Sequence, residues 1–160
     1  MGNKLLHVHV KEVKDFLSKT VEEMSDYLDN HRLNDLLEEN GSKDAEYYKE
    51  LMKGLRRMAV FCEEALDAVK SLTRRENIPD SAVEKTLYGI YHQCILEFYS
   101  PKYDRWYENS RASYTGNHSI RFHHTPPRSF AYLMSSLEDS FQDIRESLAY
   151  YETKFQPKMS

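Results

Sequence analysis

From Phe130 to Phe155 an apolar residue recurs at every third or fourth position: Phe130, Leu133, Leu137, Phe141, Ile144, Leu148, Tyr151 and Phe155. An α-helix with one buried stripe explains that period, because 3.6 residues per turn returns such positions to a single face. Thr125-Pro126-Pro127 predicts its start, with Thr125 as N-cap and proline in the first turn, and Pro157 stops it. A helix of this kind gains most of its stability by covering its stripe, so the rest of the chain has to supply matching faces.

Three further segments do so. Val10, Val13, Leu17, Val21, Met24 and Leu28 form the first stripe, which loses phase near Asn30 and His31 and resumes at Leu33, Leu36 and Leu37. That predicts a kinked or broken helix, with Gly41 as its C-terminal cap and Ser42 or Asp44 starting the next. The second helix, about 44 to 75, carries Tyr48, Leu51, Leu55, Met58, Cys62, Ala65, Val69 and Leu72, and ends in the cations Arg74 and Arg75. Pro79 closes a short turn, and Ser81 with Glu84 has the spacing of a capping box at the start of the third helix. Val83, Leu87, Ile90 or Tyr91, Cys94 and Phe98 follow, and Gly89 inside that helix predicts a close helix contact. The fold expected is all-α, an antiparallel up-down four-helix bundle forming a single domain over 1–160.

A chain of 160 residues with a formal charge of -4 can bury one core and does not suit a protein that coats nucleic acid over its whole surface. No apolar run is long enough to cross a bilayer and the N-terminus does not read as a signal peptide, so the expected setting is the cytoplasm, with no membrane partner. Cys62 and Cys94 fall on apolar faces and read as buried free thiols.

One stretch resists this pattern. Residues 100–127 hold the only Trp, three of the seven His, and Lys102, Arg105, Arg111 and Arg121 against Asp104 and Glu108. In an up-down bundle this long connection between the third and fourth helices caps the end where the second and fourth helices start. A connection of this length needs structure of its own or a job. Residues 113–115 and 119–122 around Gly116-Asn117 read as a small β-hairpin that places Tyr114, Ile120 and Phe122 partly on the bundle end, and Trp106 and Tyr107 as a short helical turn. Arg105, Arg111, Arg121 and Arg128 with His118, His123 and His124, beside two helix N-termini, make a candidate phosphate or carboxylate pocket. The competing reading ties the same arginines to Asp104, Glu108, Asp35, Glu38 and Glu39 as a structural lid. Interleaved aromatics also allow single-stranded nucleic acid to stack. His123-His124 lacks a third ligand at convincing spacing, so no metal and no cofactor is expected; His92 reads as a hydrogen-bonded residue and His7, His9 and His31 as solvent or terminal residues.

Arg111 and His118 form an Arg-x6-His pair that resembles the motif of the HEPN class of ribonucleases, which implies His118 in proton transfer and Arg111 on the phosphate. The pair lies in a Gly-containing loop rather than on a helix. A broader resemblance rests on GLRRMAVFCEEALDA at 54–68, EKTLYGIYHQCILEF from 84, and WYENSRASYTGNHSIRFHHTPP from 106. These blocks resemble the YpuI-type family of uncharacterised small cytoplasmic proteins from Bacillus-like bacteria. The resemblance covers nearly the whole chain, implies a bacterial cytosolic setting, and transfers no catalytic residue. The preferred reading is a non-enzymatic module binding an unknown protein or anionic ligand through Arg105, Trp106, Arg111, Tyr114, His118, Arg121 and His123. A phosphodiester-acting enzyme using Arg111 and His118, or a nucleic-acid accessory protein, is the alternative. Tyr47, Tyr88, Tyr132 and Tyr150 could form a homodimer face.

Overall fold

The computed structural model describes residues 4–40, 44–75, 77–114 and 118–155. It is all-α apart from one small antiparallel sheet. Helix α1 spans Lys4–Asn30, α2 Leu33–Asn40, α3 Ala45–Arg74 and α4 Asp80–Ile90. A π-helical segment, Tyr91–Leu96, continues α4 into α5, Glu97–Tyr99. The connection then holds strand β1 (Tyr107–Glu108), a short helix α6 (Ser110–Tyr114) and strand β2 (Ile120–Arg121), before α7 runs from Arg128 to Phe155.

The stripes meet as their period requires. Val13, Leu17 and Met24 of α1, Leu51, Leu55, Cys62 and Val69 of α3, Leu87 of α4, Cys94 of the π-helical segment, and Phe130, Leu137, Phe141 and Leu148 of α7 are all buried in one core. Phe98 stacks on Phe141 with ring centroids 3.9 Å apart, and Phe16 meets the same ring edge-on at 4.8 Å. The break after Asn30 falls where the stripe loses phase; the His31 ring stacks on Tyr27 at 4.0 Å, and its Nδ1 lies 2.9 Å from the Tyr27 carbonyl. His31 is therefore half-buried and engaged rather than free in solvent. His9 likewise departs from the terminal reading: it is buried, with Nδ1 2.6 Å from the Tyr151 hydroxyl. Both cysteines are buried and free, and the Cys94 thiol donates to the Phe61 carbonyl. Hydrogen bonding with Cys62, then burial, pushes the Cys94 thiol far up, which makes it an unreactive core residue.

Local capping chemistry gives way to longer-range partners. Ser81 and Glu84 do not form the expected capping box. Pro79 is the N-cap of α4 without a side-chain bond, and Glu84 turns to Lys154 at the end of α7. Gly89 makes no close helix contact, since a Cβ there would meet nothing within 4 Å. The helical glycine with a steric reason is Gly54: a Cβ would lie 2.8 Å from Trp106 Cζ3 and 3.0 Å from Arg105 Cδ. The same substitution therefore has opposite signs at the two sites. Gly89→Ala is expected to stabilise by up to ~1 kcal/mol through helix propensity. Gly54→Ala is expected to destabilise by ~1–2 kcal/mol despite that gain, because the indole ring must shift. Urea unfolding of both variants checks this, and a stabilised Gly54→Ala would contradict the packing account.

Among the described residues, no helix is long and apolar enough to cross a membrane.

Candidate functional site

The connection between α5 and α7 is built around Trp106. Its indole is fully buried, its Nε1 donates to the Phe98 carbonyl at 2.7 Å, and its ring lies against Gly54 of α3 and Phe130 of α7. Trp106 is thus a core residue. Neither it nor Tyr107 forms a helical turn, because residues 107–108 pair with 120–121 as an antiparallel ladder, Tyr107 opposite Arg121 and Glu108 opposite Ile120. The hairpin exists, but its first strand precedes the expected 113–115, where the chain is instead helical through Tyr114. Gly116-Asn117 and the side chain of Tyr114 lie outside the described residues. Ile120 is buried and Phe122 half-buried with its ring edge toward Phe130, as the alternation required.

Two side chains of α7 hold this hairpin, and neither stood out in the sequence. Glu138, 1 % exposed, accepts bonds from the Ser119 amide (2.7 Å) and hydroxyl (2.9 Å), the Ile120 amide (3.2 Å) and Gln142 Nε2 (2.9 Å). Arg145 grips the Glu108 carboxylate with both terminal nitrogens and lies over the Tyr99 ring at 4.2 Å. The one legible signal was positional: Glu138 and Arg145, seven apart, border the apolar stripe of α7 rather than its outer face. Burial pushes the Tyr99 phenol up.

The charged groups of the connection are largely spoken for. Arg105 pairs with Glu50 of α3, with Nε 3.2 Å from the carboxylate, and this bond holds Glu50 below the usual carboxylate range. Arg121 donates to the carbonyls of His118 and Ile120, His118 Nε2 sits 2.7 Å from Asp139, and His123 Nε2 lies 2.8 Å from the Asp104 carbonyl. His124 faces Asp44 at 3.7 Å and tilts onto Tyr47. The start of α7 is filled by the chain's own carboxylate: Glu39 accepts from the Ser129 amide and, at 2.7 Å, from its hydroxyl. That hydroxyl also meets Tyr27, whose phenol is pushed up to about 12 by burial. Arg111 is exposed on α6. His92 is exposed, with its ring against Tyr88 and Tyr91. Among the described residues, no group of three or more His, Cys, Asp or Glu is placed to hold a metal ion.

What stays open is a face on the outer side of Trp106. Tyr103 is 66 % exposed, with Lys102 Nζ 5.2 Å and Arg105 Cζ 5.1 Å from its ring centroid. Tyr107 is also exposed, with its ring 5.0 Å from that of His123. Tyr103 and Asp104 adopt φ of 73° and 50°, consecutive left-handed conformations at residues other than glycine. Such backbone is costly, on the order of 1–3 kcal/mol each, and persists only where the surroundings enforce it. Here Asp104 is held at its amide by Pro101 and at its carboxylate by His123.

Residues 10–157 match the family described as protein of unknown function (DUF3907). The chain belongs to that family. It is 42 % identical over 152 residues to the "Uncharacterized protein YpuI" of Bacillus subtilis (strain 168), covering 95 % of this chain and 84 % of that protein. The resemblance carried by the blocks at 54–68, 84–98 and 106–127 thus extends along nearly the whole family match. No solved structure matches the chain.

Proposed function

We propose that the protein is a non-enzymatic binding module: an antiparallel up-down bundle whose cap at 100–127 presents a cationic aromatic face to an acidic segment of a partner protein. The carrying observation is Tyr103, lifted into solvent by two successive left-handed residues and flanked by Lys102 and Arg105. A ring between two cations offers apolar area and positive charge together, which suits a carboxylate-bearing peptide. Arg105, bonded to Glu50 of α3, and Arg121, bonded within the cap, contribute charge to this face, His123 adds its ring beside Tyr107, and Trp106 acts beneath it by packing. The phosphodiester reading asks His118 and Arg111 to share one phosphate, and the Asp139 carboxylate beside His118 is compatible with either reading.

A photo-crosslinking amino acid at position 103 is expected to capture a defined partner from lysate, and one at Tyr132, also exposed, is not. Arg105→Ala with Arg121→Ala is expected to reduce that capture about tenfold. Stability should fall by no more than about 2 kcal/mol, since Arg105 gives up a part-buried pair with Glu50 and Arg121 two bonds to the carbonyls of His118 and Ile120. Equal capture from both positions, or by the double variant, removes the proposal.

A further inference from the structure

The start of α1, the end of α3 and the start of α4 enclose a cleft of about 1100 Å³ at a site separate from the cap. Its floor is apolar. Leu6 is buried, and Val10, Leu72, Ile78 and Val83 are half-buried. Its rim is cationic: Lys11 and Lys14 stand one turn apart on α1, and Arg75 sits at the C-cap of α3. None of these three is in an ion pair among the described residues, although Asp15 and Asp80 also line the cleft.

Each half of this lining sets a requirement. Half-buried Val, Leu and Ile surface favours an apolar chain over water. Unpaired cations of like charge favour an anion between them. A simple inorganic anion would leave the floor wet, and a neutral apolar molecule would leave the cations unpaired. No Phe, Tyr or Trp lines the cleft and His7 is its one ring, so the lining suits an aliphatic chain better than a stacked nucleobase.

We propose that this cleft binds a linear amphiphile with an anionic head, a medium-chain carboxylate, as a free monomer. The chain lies on Val10, Leu72 and Val83, and the carboxylate lies between Lys11, Lys14 and Arg75.

Calorimetric titration of the full chain with decanoate, below its micelle-forming concentration, tests this. Saturable binding is expected, with acetate and decanol each at least about tenfold weaker because each satisfies one half of the lining. Lys11→Met with Lys14→Met keeps the aliphatic stems and removes the charges, and is expected to weaken decanoate binding about tenfold. Lys14→Arg should retain it. Amide shifts should cluster at Val10, Leu72 and Val83. Decanol binding as tightly as decanoate, wild-type affinity in the double variant, or shifts confined to 100–127 would each overturn the proposal. So would binding to phosphatidylglycerol vesicles with none to monomeric decanoate.

Discussion

Trp106→Ala is expected to lower the free energy of unfolding by about 4 kcal/mol, near the top of the range for removing a large buried aromatic. The indole is fully buried, and the cavity would open between Gly54 of α3 and Phe130 of α7, elements held in place by their own stripes. Backbone on long helices relaxes little, so the void would persist rather than collapse. The substitution also leaves the Phe98 carbonyl without its Nε1 donor. Trp106→Phe separates the two losses. It keeps most of the volume, abolishes the hydrogen bond, and should cost about 2 kcal/mol. In that background Gly54→Ala should become less destabilising, because Cζ3 and Cη2 of the indole no longer crowd position 54 and only the Arg105 side chain stays close. Urea unfolding followed by circular dichroism measures all four variants. A loss below about 1 kcal/mol for Trp106→Ala would place the indole outside the core.

The second large effect belongs to Glu138. Glu138→Ala should cost about 3 kcal/mol, because the buried Ser119 and Ile120 amides would lose their acceptor and each orphaned donor costs about 1–3 kcal/mol. Glu138→Gln preserves shape but supplies one acceptor oxygen where these bonds use two, and should cost about half as much. The hairpin should respond before the helices do. Amide hydrogen exchange at Asn109, whose N–H bonds the Ser119 carbonyl at 2.7 Å, should speed up in both variants while the amides of α3 keep wild-type protection. Uniform exchange across the chain, or unchanged stability in Glu138→Ala, would contradict an anchoring role.

How much of this was legible beforehand differs by element. The helix carrying Phe130 to Phe155, the seam from Tyr48 to Leu72 and the break near Asn30 all follow from spacing. Spacing is a property of nearest turns, and a periodic stripe needs no knowledge of its partner. The β-pairing was legible only as a tendency. Strands of two residues are too short to show alternation, so Gly116-Asn117 drew the hairpin onto 113–115 while the ladder forms at Tyr107 and Glu108. Trp106 sits in a polar stretch and reads there as a binding residue on a short helical turn. Its burial depends on a gap at Gly54, 52 positions earlier, that no local pattern announces.

The candidate site divides along the same line. The concentration of Arg, His and aromatic side chains at 100–127 is visible in the sequence, as is the family to which those blocks point. Their assignment to tasks is not. Arg105 meets Glu50, His118 meets Asp139, and Glu39 fills the first turn of α7, each across tens of residues of chain. By itself the sequence determined where the helices run and which faces they bury, because both are encoded within a few turns. Only the tertiary structure decided which polar groups are satisfied by distant partners. Those choices leave Tyr103 exposed and Trp106 packed, and, among the described residues, Lys11, Lys14 and Arg75 outside any ion pair.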